Sequence, residues 1–144
     1  LHKNRTKLSK LYRTGDGEMK GKRLMIVDDS PAIHVIIERA AAANGYEVCA
    51  HAKNGDEAVK QYKLTMPDVI TMDITMPVKD GLAASKEILA ENPDAKILML
   101  SAMGDEEIIK EAKDIGITHF LKKPFKGEEI VNVINNMISN QSGG

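Results

Sequence analysis

Five side chains able to do polar chemistry stand at or just past the ends of short apolar runs. Asp28 and Asp29 follow the run that ends at Val27, Asp73 follows residues 69–72, Ser101 follows residues 97–100, and Lys123 comes two residues after Leu121. In an open parallel sheet the carboxyl ends of the strands border the crevice in which ligands bind. With the first and third runs as neighbouring strands, three carboxylates converge. Unit charges about 4 Å apart repel by about 4 kcal/mol at an effective dielectric near 20. Such a cluster calls for a cation, and Mg²⁺ suits a site with a few protein oxygens and open positions for phosphate. Lys123 adds a second positive charge. A carboxylate held beside both is arranged for phosphoryl transfer, whose transition state spreads negative charge over equatorial oxygens. Asp73 is then the nucleophile, and Ser101 a hydroxyl donor to the incoming phosphoryl oxygen.

The elements that must position these groups are legible as an α/β pattern. Short runs rich in Ile, Val, Leu and Met predict strands at 23–27, 47–51, 69–72, 97–100 and 117–121, each buried on both faces. Between them lie segments of helical period. The first opens with Ser30 as N-cap and Pro31 in the first turn, turns Ile33, Ile36, Ile37, Ala40 and Ala41 inward, and closes at Gly45. The second starts near Asp56 with Ala58, Val59 and Tyr62 inward, and the third near Gly81 with Leu82, Ile88 and Leu89 inward. The fourth buries Ile108, Ile109, Ala112 and Ile115, and the fifth Ile130, Ile134, Met137 and Ile138.

Residues 1–21 are basic, with a Gly15-Asp16-Gly17 breaker, and read as a tail; residues 22–140 form one domain and 141–144 a short C-terminal tail. No attached output domain is expected. A formal net charge of -1 supplies no field toward nucleic acid or membrane. Aromatic content of 3% leaves few rings to stack on bases, so direct nucleic-acid binding is not expected. No run approaches the roughly 18 apolar residues of a membrane span, and the single cysteine, Cys49, fits a reducing cytoplasmic setting. Cys49 and His51 lie two apart on one strand and His34 lies on the first helix, but no closed ligand set at zinc spacing accompanies them. His34, His51 and His119 read as surface or partly packed side chains.

Taken in order, Ile26-Val27-Asp28-Asp29-Ser30, Asp73-Ile74-Thr75-Met76-Pro77 with Asp80-Gly81, Ser101-Ala102 and Lys123-Pro124-Phe125 resemble the response-regulator receivers, over about 22–139. The resemblance implies a flavodoxin-like (βα)5 three-layer sandwich with a parallel sheet of order 2-1-3-4-5, a fold for which the chemotaxis receiver CheY is a standard example. It implies that Asp28 and Asp29 hold Mg²⁺ directly or through water, that Asp73 is phospho-acceptor and metal ligand, and that Thr75 offers a backbone carbonyl to the metal. Ser101 stands where the family has Ser or Thr, Lys123 contacts the phosphoryl group, and the Lys123–Pro124 bond is cis. By the same resemblance Phe120 occupies the aromatic switch position. It turns inward as the phosphoryl oxygen draws in the Ser101 hydroxyl, which rearranges the face formed by the fourth helix, fifth strand and fifth helix. Thr75 and Met103 are expected to flank the path of the attacking water and to set the lifetime of the phosphorylated state; neither is a general base, so chemistry at the acyl phosphate is expected to rely on Asp73, Mg²⁺ and Lys123 alone.

The stretch 69–77 with Ser101-Ala102-Met103-Gly104 is most similar to stand-alone chemotaxis receivers. The implied partners are a sensor histidine kinase and a downstream target such as a flagellar motor switch protein, with the chain a monomer. Two other readings are a phosphorelay intermediate that passes the phosphoryl group to a histidine, and the receiver part of a DNA-binding transcriptional regulator. An enzyme with haloacid-type phosphatase chemistry fits worst, because the position two residues after the nucleophile, where a second acid is needed, is Thr75.

Overall fold

Alternating runs of strand and helix character give five of each in the computed structural model, which describes the backbone of residues 22–143 and side chains to residue 139. The basic segment read as a tail, 1–21, lies outside the described residues. The strands are β1 (Arg23–Val27), β2 (Glu47–Ala52), β3 (Val69–Asp73), β4 (Ile97–Ser101) and β5 (His119–Lys122). The helices are α1 (Pro31–Ala43), α2 (Gly55–Thr65), α3 (Gly81–Glu91), α4 (Glu106–Asp114) and α5 (Gly127–Gly143). All strand pairs are parallel and the order is β2-β1-β3-β4-β5.

Side chains alternate across the sheet and split the core into two layers. Met25, Val27, Ile70, Met72, Ile97 and Met99 join one buried cluster with Ala58, Tyr62, Ile88 and Ala112 from α2, α3 and α4. Leu24, Ile26, Val69, Leu98 and Leu100 join the other with Ile37, Ala41, Ile130, Ile134 and Met137 from α1 and α5. This is the three-layer flavodoxin-like sandwich the sequence implied. The reversal of strand order falls between β1 and β3, where Leu24 to Val27 pair with Val69 to Met72. That pairing brings the chain after Val27 alongside Asp73.

Several local features differ from the sequence reading. Both β3 and β4 run one residue further than expected, so Asp73 and Ser101 are held in the ladder itself. β5 starts at His119 rather than at Ile117, because the Ile117 amide donates to the Ala112 carbonyl and closes the end of α4 after Gly116. Ser30 stands before α1 in an extended conformation but caps nothing with its side chain; its amide donates instead to Asp28 Oδ1. The first helix ends at Ala43, two residues before Gly45, whose φ is +83°. Ile36, expected inward, is 40% exposed. It sits at the edge of the seam with α5, where a Cβ on Gly127 would come within 2.7 Å of Ala40 Cβ and 3.9 Å of Ile36 Cγ2. The last helix continues to Gly143, through most of the segment read as a tail.

Candidate functional site

The end of β1 supplies Asp28, which is fully buried and has both oxygens engaged. Oδ1 accepts from the Ser30 amide at 2.9 Å, and Oδ2 accepts from Lys123 Nζ at 3.0 Å. A buried carboxylate is tolerable only with such partners, since an uncompensated charge out of water costs several kcal/mol. Its own amide donates to the Ala52 carbonyl at 3.0 Å, which ties the end of β1 to β2. Asp73, at the end of β3, is 6% exposed, and its Oδ1 accepts from the same ammonium at 3.1 Å. Lys123 therefore bridges the two strand ends. Asp29 is exposed, and it completes a group in which one oxygen from each of Asp28, Asp29 and Asp73 lies within 4.8 Å of the others.

The loop after β3 is shaped to leave Asp73 room. Gly81, first residue of α3, donates its amide to the Ile74 carbonyl at 2.7 Å, and a Cβ there would lie 2.0 Å from the Asp73 carbonyl oxygen. No side chain other than hydrogen fits that approach. Asp80 caps α3 by accepting from the Ala83 amide at 2.8 Å. Thr75 is exposed in this loop. On β4, Ser101 is 5% exposed, and its carbonyl accepts from the Lys123 amide at 2.7 Å. That bond ties the backbone at Lys123 to the end of β4, and the Lys123–Pro124 peptide is cis, as the family resemblance implied. Phe120 is half-buried on β5 opposite Met99, with the Lys113 ammonium 5.8 Å from its ring centre. The sequence reading did not single out Asp105, which is buried and accepts from the Ala102 amide at 2.6 Å, holding the backbone just past Ser101. It also left out the bond between His34 Nε2 and the Asp28 carbonyl, 2.7 Å.

Charge governs what this pocket can do. Burial, and then the charges of Asp28 and Asp29, push the Asp73 carboxyl up to about 6 against the downward pull of Lys123. For Lys123, burial works against the charged form, but its hydrogen bonds to Asp28 and Asp73 outweigh this and raise its pKa. Three carboxylates against one ammonium leave an excess of negative charge. The donors are hard oxygens and one carboxylate faces solvent, so the residues fit a small divalent cation that keeps some of its waters.

The sequence matches the response regulator receiver domain family over residues 24–135, and the chain belongs to that family. Chemotaxis protein CheY of Thermotoga maritima is 44% identical over 115 residues, covering 80% of this chain and 96% of that protein. Chemotaxis protein CheY of Bacillus subtilis is 41% identical over 117 residues, covering 81% of this chain and 98% of that one. Among solved structures, the CheX-CheY-BeF3-Mg²⁺ complex from Borrelia burgdorferi matches with a TM-score of 0.74 and 29% identity, over 79% of this chain and 87% of that one. The response regulator domain of Thermotoga maritima CheB matches with a TM-score of 0.73 and 30% identity, over 81% of this chain and 96% of that domain. Among the described residues no helix is long and apolar enough to cross a membrane.

Proposed function

We propose that this response regulator acts in chemotaxis, taking a phosphoryl group from a sensor histidine kinase onto Asp73 and, once phosphorylated, binding a target such as a flagellar motor switch protein. The observation that carries the reading is the single ammonium of Lys123 joining Asp28 and Asp73 across the reversal of strand order, with Asp29 beside them. Asp28, Asp29 and Asp73, with the backbone carbonyl of Thr75, are the groups that would hold Mg²⁺. When bound, that ion would neutralise charge on the phosphoryl oxygens.

The chain's own residues account for the rest. Near neutral pH the Asp73 carboxyl is mostly ionised, since its pKa lies at about 6. Lys123 engages Oδ1, and Oδ2 has its lone pairs for attack on phosphorus. The new Oδ2–P bond forms as the bond from phosphorus to the donor's nitrogen breaks, and the donor imidazole leaves with that electron pair. Lys123 stays in reach of the transferred group's oxygens, and the Ser101 hydroxyl donates to another. Drawing Ser101 inward opens space for Phe120, which repacks the face of α4, β5 and α5. The likeness to two CheY proteins along nearly their whole length supports the chemotaxis assignment.

Incubating the full chain with a small-molecule phosphodonor and Mg²⁺ and measuring the intact mass tests the proposal. One added phosphoryl group is expected, with none when Mg²⁺ is chelated and none in Asp73→Asn. Equal labelling of wild type and Asp73→Asn contradicts it.

A further inference from the structure

Beside the acidic pocket, α1 and β2 bring two histidines together in a way the sequence did not reveal. His34 Nδ1 and His51 Nδ1 are 2.8 Å apart. The ring centres are 5.0 Å apart, close to the nitrogen separation plus two ring radii, so both nitrogens lie near the line joining the rings and direct their in-plane orbitals at each other. The opposite edge of each ring fixes its tautomer. His34 Nε2 is 2.7 Å from the Asp28 carbonyl oxygen, which can only accept, so Nε2 carries a hydrogen. His51 Nε2 is 3.2 Å from the Glu38 carboxylate, which likewise accepts. At 2.8 Å the two Nδ1 atoms stand at hydrogen-bond distance, and with a hydrogen on each Nε2 their facing lone pairs can take a metal ion in place of the hydrogen they share.

We propose that His34 and His51 form a binding site for a divalent transition metal ion such as Zn²⁺, held by the two Nδ1 atoms and completed by water. A metal-binding histidine usually donates its other ring N–H to a carbonyl or carboxylate, which orients the ring and raises its basicity; here the Asp28 carbonyl and Glu38 already serve as those acceptors. Imidazole nitrogen favours zinc, copper and nickel, whereas the oxygens of Asp28, Asp29 and Asp73 favour magnesium, so the two neighbouring sites select different ions. Zn–N bonds of about 2.0 Å in tetrahedral geometry require nitrogens about 3.3 Å apart, a small opening for a pair whose His51 side chain is 43% exposed. Both rings border an open depression of about 470 Å³ that also includes Asp29, Lys53 and Glu57, which gives room for the water ligands. Cys49 takes no part, because its thiol donates to the Leu24 carbonyl. The site does not rest on the phosphorylation reading.

Zn²⁺ titration of the full chain by calorimetry, with millimolar Mg²⁺ present throughout and His2 replaced by Gln in every sample, tests this. One equivalent of Zn²⁺ is expected to bind, about tenfold or more weakly in His34→Gln and His51→Gln and somewhat more weakly in Glu38→Gln. Asp73→Asn is expected to retain the affinity of the parent chain. An unaltered Mg²⁺ affinity in His51→Gln shows that this variant is folded, and X-ray absorption at the zinc edge should show two imidazoles and no sulfur. Unchanged Zn²⁺ affinity in His51→Gln, loss of binding in Asp73→Asn, or sulfur in the zinc shell each overturns the proposal.

Discussion

Asp73 and Asp28 are both buried acids, yet they are held differently. Asp28 has a partner on each oxygen, whereas Asp73 has Lys123 on Oδ1 and is pushed up to about 6 by burial and by its acidic neighbours. The Asp73 proton is therefore bound more tightly in the folded chain than in the unfolded one. This group's contribution favours folding below its unfolded pKa of 3.8 and is lost as pH rises through about 6. In Mg²⁺-free buffer near neutral pH, Asp73→Asn should accordingly raise stability by about 1–2 kcal/mol, read from urea midpoints, with the advantage shrinking toward pH 4. Met103, 88% exposed just past Ser101, is predicted to influence how long the phosphorylated state lasts. Phosphate loss from Met103→Glu should differ from wild type, and identical rates would remove Met103 from that role. These acids, Ser101 and Lys123 were legible in the sequence because each is a polar residue at or just past the end of an apolar run. His34 and His51 were not, since they lie 17 positions apart and meet only when α1 packs beside β2.

The strands and helices themselves follow from hydrophobic period, but their meeting points depend on backbone approach that composition does not show. Gly81 read as the start of the third helix; its Cβ position, 2.0 Å from the Asp73 carbonyl oxygen, makes it the point at which α3 closes on β3. Gly81→Ala should destabilise by about 3 kcal/mol, at the upper end of overpacking costs because the obstacle is backbone, and should disturb Asp73 as well. Gly127→Ala meets a side-chain methyl, Ala40 Cβ, at 2.7 Å, and should cost about 1–2 kcal/mol through the α1–α5 seam while sparing the pocket. Thermal midpoints together with Mg²⁺ affinity separate the two cases. Element ends were misjudged where a hydrogen bond overrode propensity. Ile117 has the character of a strand residue, but its amide is committed to Ala112. Ile36 fitted the helical period and still lies 40% exposed, because period alone does not say where the neighbouring helix sits.

Over the whole molecule, the order β2-β1-β3-β4-β5 is what makes one pocket from residues as far apart as Asp28 and Lys123. The alternation of apolar runs made the parallel sheet legible, whereas the neighbour relation of β1 and β3 entered through family resemblance, since no local pattern in the sequence encodes strand order. A cation that binds the folded pocket and not the unfolded chain stabilises by mass action, by about 2.7 kcal/mol at one hundred times its dissociation constant. Mg²⁺ should thus raise the thermal midpoint of the wild type, and much less that of Asp28→Asn, whose buried carboxylate belongs to the acidic group. That the pocket's acids act together, with Asp73 as the acceptor, comes down to which residue carries the phosphoryl group. After reaction with a phosphodonor and Mg²⁺, acidic proteolysis and fragment mass mapping should find it on the peptide containing Asp73 alone. Label on a peptide containing Asp28 and Asp29, or on one containing His34 or His51, would contradict the account.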